Sequence, residues 1–179
     1  MSHDNSKKKK QELLIEALEK SSDDKVISML IDLKEHGELF YLQPLLTMMV
    51  SNRGETLKKS LVEFISDIKL QDAVPIIADF VRAQSTIKEI TGILTASWQS
   101  RLDFSQHLAP FFQVLIHSDY KNAFEAFTVI ENSIDGLAPN EIVEFIAEIK
   151  GGLGKSNHDK QLLLLEMISV LEKTRRAAK

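Results

Sequence analysis

Three stretches of this chain repeat one pattern, and that repetition limits the fold more than any other feature. Leu42-Gln43-Pro44-Leu45-Leu46-Thr47-Met48-Met49-Val50 is followed by Ala73-Val74-Pro75-Ile76-Ile77-Ala78-Asp79-Phe80-Val81 and then by Leu108-Ala109-Pro110-Phe111-Phe112-Gln113-Val114-Leu115-Ile116. Each reads apolar, variable, Pro, two apolar residues, two mixed positions, then apolar again. The prolines stand 31 and then 35 residues apart. A period of that size marks a supersecondary unit that stacks on copies of itself to bury its apolar face. Proline early in each copy suits the first turn of a helix, where a missing N–H costs least.

Read in order, the chain predicts helix after helix. Residues 1–10 are polar and basic with no apolar period and are expected to be a disordered tail, leaving 11–179 as a single domain. Leu13, Leu14, Ala17 and Leu18 form one stripe at spacings of three and four. Ser21-Ser22-Asp23-Asp24 breaks the chain and restarts it, since Ser and Asp side chains cap free backbone N–H groups. Val26, Ile27, Leu30, Ile31 and Leu33 follow, closed by His36-Gly37. Leu57, Leu61, Phe64, Ile65 and Ile68 pair with the Pro44 helix. Ile87, Ile90, Ile93, Leu94 and Trp98 pair with the Pro75 helix. Phe124, Phe127 and Ile130 pair with the Pro110 helix. A fifth pair starts at Pro139 with Ile142, Val143, Ile146 and Ile149, and ends with Leu162, Leu163, Leu165, Met167, Ile168 and Leu171. No stretch alternates apolar and polar long enough for a strand. The expectation is an all-α fold of ten helices in five antiparallel pairs with short connections.

This pattern resembles HEAT repeats, most clearly over residues 42 to 130 and more loosely over 11 to 175. The prolines stand early in the first helices. Leu57-Lys58 and Ile87-Lys88 occupy the position of the family's Val-Arg-like dipeptide, and Asp23-Asp24-Lys25-Val26 and Ser118-Asp119-Tyr120-Lys121 echo its turn. Lys stands where Arg is usual, and the turn Asp is missing from the second and third pairs, where Asn52 and Ser85 lie nearby. The resemblance implies an α-α superhelix of the armadillo type whose second helices line a concave side. It further implies a scaffold or adaptor that holds a protein or peptide there. A minority of HEAT-like proteins act on nucleic acid, DNA glycosylases with a basic groove among them.

Charge bears on that choice. Lys7, Lys8, Lys9 and Lys10 sit at one end, and Lys173, Arg175, Arg176 and Lys179 at the other. Between residues 11 and 172 there are 14 basic and 25 acidic residues, a net charge of −11. A groove that follows nucleic-acid phosphates needs clustered Lys and Arg. An acidic body repels a polyanion and attracts a basic partner at low salt. The expected partner is therefore a protein or peptide, of basic character, and not nucleic acid. Four lysines are a weak membrane anchor, and no apolar run approaches the length of a bilayer span, so no membrane role is expected. With no targeting signal visible, the cytoplasm is the default compartment. There is no cysteine, hence no disulfide, thiol nucleophile or thiolate metal site.

Each candidate for chemistry has a plain counterpart. Gly154-Lys155-Ser156 looks like the end of a phosphate-binding loop, but Ile149 stands where that motif needs Gly, and a helix rather than a strand precedes it. Among His3, His36, His107, His117 and His158 no two lie three or four apart, so no pair shares a helix face as zinc ligands would. Trp98, the only tryptophan, is of a type enriched at binding hot spots. It also falls on the Ile90–Leu94 stripe, which favours packing between repeats. Glu125, Glu131, Asp135, Glu141, Glu144 and Glu148 lie in a stretch, 122–149, with no Lys or Arg. Glu141, Glu144 and Glu148 share one helix face, and like charges stacked there cost stability. A docking face for a basic segment would use them, whereas a solvated outer face is the ordinary fate of such a run.

The expected function is thus a non-catalytic interaction scaffold, with no cofactor and no metal. Its candidate contact residues are Trp98, Glu131, Asp135, Glu141, Glu144 and Glu148. The alternatives are a HEAT-like enzyme or nucleic-acid-acting protein, or a self-assembling structural module. The run Leu162 to Leu165 is richer in leucine than one core face needs, so it covers an end of the array or makes a dimer contact, which leaves a monomer or a weak homodimer.

Overall fold

A computed structural model describes the backbone of residues 2–36, 38–84 and 88–177, with the side chains of these except 2–5, 35, 36 and 88. Gly37, Ser85, Ile87 and Lys179 lie outside the described residues, as do the side chains of His3, His36 and Lys88. Among the described residues there are ten α-helices and no strand. They are α1 (Ser2–Lys20), α2 (Asp23–His36), α3 (Leu42–Met49), α4 (Glu55–Ser66), α5 (Ala73–Gln84), α6 (Thr91–Ser100), α7 (Ala109–His117), α8 (Tyr120–Ser133), α9 (Pro139–Leu153) and α10 (His158–Ala177). Short 3-10 turns at Lys88–Ile90, Ser105–His107 and Ile134–Gly136 lead into α6, precede α7 and follow α8. No described helix is long and apolar enough to cross a membrane.

The four prolines set the helix starts. Pro44, Pro75, Pro110 and Pro139 all fall within the first three residues of α3, α5, α7 and α9, where the fixed φ helps and no donor is lost. Caps complete the starts of α8 and α9. Asp119 Oδ1 accepts from the backbone N–H of Asn122 at 2.9 Å. Glu141 Oε2 accepts from the N–H of Ala138 at 2.8 Å. Both satisfy donors that a helix start leaves free.

Packing follows a simple order. α1 touches α3, α3 touches α5, α5 touches α7 and α7 touches α9; likewise α2, α4, α6, α8 and α10 pack in sequence. Within consecutive pairs, α3 packs on α4, α5 on α6, α7 on α8 and α9 on α10. The even-numbered helices pack on each other more extensively than the odd-numbered ones do. Small residues permit this: a Cβ at Gly92 of α6 would meet Met49 Cε at 3.2 Å and Val62 Cγ2 at 3.3 Å. The buried apolar residues of all ten helices form one core cluster. Phe112 of α7 stacks on Phe145 of α9 with centroids 3.8 Å apart, and Phe104 meets Phe111 edge-on at 5.2 Å.

Polar contacts recur one sequence repeat apart. Arg53 reaches Asp23 across 30 residues, Ser66 reaches Gln99 across 33, Gln71 reaches Asp103 across 32, Thr91 reaches Asn122 across 31 and Phe104 reaches Ser133 across 29. The spacing of the prolines is thus also the spacing of the bonds. One Asp–Arg rung exists, at Asp23 and Arg53, although Arg53 lies in the α3–α4 turn rather than at a helix start.

Several residues depart from their expected places. α1 starts at Ser2, so residues expected as a disordered tail form its first turns, with Lys7 to Lys10 exposed. No Gly or Pro interrupts residues 2–20, and Lys is a good helix former. Leu13, Ile31, Phe124, Val143, Leu162 and Leu165, assigned to core stripes by period, are exposed. A stripe at 3.6-residue spacing is wider than the face a neighbour covers. In α10 the covered face is instead Lys160, Leu164, Met167, Ile168 and Leu171.

Candidate functional site

Polar and aromatic side chains of α6 and α8 meet along one side of α8. Its buried side, against α6, is a seam of satisfied hydrogen bonds. Asn122 is buried, and its Oδ1 accepts from Thr91 Oγ1 at 2.7 Å. Glu125 Oε2 accepts from Thr95 Oγ1 at 2.8 Å and from Trp98 Nε1 at 2.7 Å. Trp98 therefore packs between α6 and α8: half-buried against the core, with its one donor committed to α8. A tryptophan held this way presents a fixed ring edge rather than a mobile one.

Beyond Trp98 the seam opens into a cleft of about 640 Å³, whose lining includes Trp98, Gln99, Arg101, Asp103 and Asn132. Arg101 ends α6 with φ at 60°, a left-handed conformation that usually falls to Gly. The turn is enforced by what comes next. Leu102 and Phe104 are buried, and Ser133 Oγ accepts from the N–H of Phe104 at 3.1 Å. The chain must reverse sharply to insert them, which leaves Arg101 exposed at the rim.

At the opposite end of α8, Tyr120 and Phe124 are 45% and 50% exposed, and their rings stack with centroids 6.3 Å apart. Exposed aromatics one helical turn apart form an apolar step on the helix surface. Lys121 and Glu131 lie on the exposed side of the same helix.

The acidic residues are distributed over several elements. Glu131 ends the exposed side of α8 and Asp135 lies in the Ile134–Gly136 turn, both exposed. Glu141, Glu144 and Glu148 are exposed on α9. Glu141 caps the start of its own helix, and Glu148 Oε2 accepts from Gln113 Nε2 of α7 at 3.1 Å. Two members of the trio thus have local partners. The carboxylate that meets Trp98 is Glu125, on a different helix.

A second cleft, of about 500 Å³, lies where the α7–α8 turn faces the α9–α10 turn, and it includes the Lys155-Ser156 stretch. At its floor is Lys160, 6% exposed, the one buried charged side chain among the described residues. Its Nζ donates to the backbone carbonyl of Ser118. Burial pushes the Lys160 ammonium below its ordinary pKa, and the Asp119 carboxylate partly offsets this. The signal for Lys160 is present in the sequence: with Leu164, Met167 and Leu171 it follows the four, seven, eleven spacing of a core stripe. Asn122 keeps similar register with Ala126, Val129 and Ser133. A polar residue in a core register is informative because burial requires a partner.

Among the described residues no three His, Asp or Glu side chains gather as metal ligands would. Comparisons with protein families, with curated proteins and with solved structures find no match to this chain.

Proposed function

We propose that the ten helices form a HEAT-like solenoid of five antiparallel pairs, and that it works as a non-catalytic scaffold in the cytoplasm. The even-numbered helices, which approach one another more extensively, would line its concave side. The partner is a protein segment that brings apolar and basic side chains to α8.

One observation carries this reading: the stacked, half-exposed pair Tyr120–Phe124 on the closely packed row. Large aromatics are costly to leave in water at about 25 cal/mol per Å² of apolar surface, and Tyr is enriched where binding energy concentrates. The net charge of −11 over residues 11–172 adds a field that favours a basic segment. Glu131, beyond the aromatic pair on the exposed side of α8, is the nearest of the acidic candidates along that helix. Asp135, Glu141, Glu144 and Glu148 contribute to the field rather than to one contact.

The test is capture of binding partners by the full chain at low and moderate salt, beside Phe124→Ala. A partner retained by the wild type, lost by Phe124→Ala and weakened by salt supports the reading. Capture that Phe124→Ala leaves unchanged overturns it. A second reading, self-association, has its own observation in Leu162 and Leu165, exposed on α10. A mass that rises with protein concentration and falls back on Leu165→Glu would support that one instead.

A further inference from the structure

The first and last helices of the odd-numbered row leave matching stripes in water. In α9 the line Ile142, Ile146 and Ile149 is buried. On one side of that line Phe145 stacks on Phe112 of α7, and a Cβ at Gly152 would meet Ile116 of α7 at 2.7 Å. On the other side, away from α7, Val143 is 49% exposed, and Ala147 is exposed four residues on. Residues three and four apart share a line on a helix, and their sequence neighbours flank it on either side. The same order recurs in α1. Leu18 is buried and Leu14 and Ile15 are half-buried, while Leu13 is 56% exposed and Ala17 is exposed four residues on. Each stripe thus pairs one large apolar residue with one alanine at a spacing of four. A small side chain at that place lets two helix axes approach closely.

The two helices are opposite in charge. Over residues 6–20, α1 carries five Lys and three Glu, a net +2, and four of those lysines, Lys7 to Lys10, stand in a row just before Leu13. α9 carries three Glu and one Lys, a net −2, and Glu144 adjoins Val143. Lys7 pairs with Glu38 and Lys20 with Glu16. Among the described residues, no ion pair takes up Lys8, Lys9, Lys10, Glu141, Glu144 or Glu148. We propose that α1 of one copy packs on α9 of a second copy, so that the odd-numbered row continues from chain to chain. With the two helices parallel, Leu13 faces Val143, Ala17 faces Ala147, and Lys10 approaches Asn140 and Glu144. A second copy is the fitting occupant because one chain supplies both halves, of equal spacing and opposite charge. The contact joins two different surfaces, so each added copy leaves one of each kind open, and growth proceeds to a filament or closes as a ring. The inference rests on the self-association reading above, and places its contact on α1 and α9 rather than on α10 alone.

The experiment is the mass of the full chain by sedimentation equilibrium, from about 1 μM to about 1 mM, at low and at moderate salt. The expected result is a mass that rises with concentration past that of two chains, and rises less at moderate salt. Leu13→Glu and Val143→Glu change exposed positions and should fold as the wild type does. Each should weaken association about tenfold or more, because a charge replaces a large apolar side chain at the contact. Mixed in equal amounts, the two variants should associate again and stop at two chains, since one keeps an intact α9 face and the other an intact α1 face. A contact of α10 on α10, or of α1 on α1, gives no such recovery. A mass that stays at one chain throughout overturns this proposal and the self-association reading together. A mass that rises in the wild type but does not recover in the mixture, or that only Leu165→Glu lowers, overturns the α1–α9 contact and leaves self-association standing.

Discussion

Two junctions join distant parts of this chain through one cation each, and they do so from opposite environments. Near the first turn, Arg53 lies part-buried at the surface. Its Nη1 donates to the carbonyl of Ser21 at 2.8 Å and to Asp23 Oδ1 at 2.9 Å, and its Nη2 donates to the carbonyl of Glu19 at 2.9 Å. Asp23 Oδ2 in turn accepts from the N–H of Gly54 at 2.8 Å. Near the other end Lys160 does its work from the interior, with a single carbonyl as partner. The first junction uses the planar fork of Arg to serve several acceptors in a polar setting. The second places a compact ammonium at the end of α7, where the helix dipole favours a cation. The difference teaches that a cation gains stability from the number of acceptors around it, and loses it by desolvation.

The two junctions should respond to pH at opposite ends of the scale. The N–H of Gly54 and then the guanidinium of Arg53 hold the Asp23 carboxyl below its ordinary pKa of 3.8. Its contribution is therefore complete above that value and is lost as pH falls through the lowered one. Lys160 titrates below the ordinary lysine value of 10.5. Between its folded and unfolded pKa values the unfolded chain binds more protons, so stability rises with pH across that window.

The largest effect should come from Arg53→Ala. It removes three hydrogen bonds from a charged donor and leaves the last carbonyls of α1 without that partner. Such bonds are each worth about 1.5–3 kcal/mol where they are buried; part exposure brings the expected total down to about 2 kcal/mol, measured by urea unfolding near neutral pH. Arg53→Lys should recover less than half, since one ammonium cannot span the acceptors that the fork reaches. A cost below about 0.5 kcal/mol would place this junction with ordinary surface pairs and end the comparison.

Lys160→Met should cost less, about 1 kcal/mol at neutral pH. The lost bond to Ser118 is partly offset by relief of desolvation. The sharper readout is alkaline. As pH approaches 10.5, the wild type should gain stability relative to Lys160→Met, because its native-state penalty for holding a proton disappears. A difference that stays flat from neutral to alkaline pH would mean that Lys160 is not desolvated in solution.

How much of this was legible beforehand divides along physical lines. The prolines announced α3, α5, α7 and α9, because a fixed φ and a missing donor are local properties that one residue enforces. The all-helical character is legible in apolar stripes at spacings of three and four, which are also a local property of the chain. Which apolar residues stay in water was not. Phe124 and Leu165 carry the right period and are exposed, because exposure depends on how much of a helix its neighbours cover. The candidate site was legible in fragments. The stripe places Trp98 in the packing, where it meets Glu125; in the sequence that carboxylate is only one member of an acidic run. Lys160 keeps core register, but a charged side chain belongs in water by type, and only the Ser118 carbonyl supplied by a distant turn makes its burial possible. Arg101 gives no signal, because its left-handed φ is imposed by Leu102 and Phe104 turning inward.

The smallest expected effect tests the comparison from its exposed limit. Lys34 Nζ and Asp67 form an ion pair between α2 and the end of α4, across 33 residues, at side-chain exposures of 61% and 54%. The hydrogen bond from Lys34 also holds the Asp67 carboxyl below its ordinary pKa. The spacing matches that of Arg53 and Asp23, so geometry of sequence is held nearly constant while solvent access changes. Exposed pairs contribute about 0–1 kcal/mol and are screened by salt, because water competes for both charges and each long side chain loses freedom. Lys34→Ala should therefore cost under about 0.5 kcal/mol in low salt and nothing measurable at about 0.5 M salt. Arg53→Ala should keep most of its cost under the same salt, since two of its acceptors are backbone carbonyls rather than a free carboxylate. If salt erased both costs equally, then charge alone, and not the number and placement of acceptors, would be what binds these helices to one another.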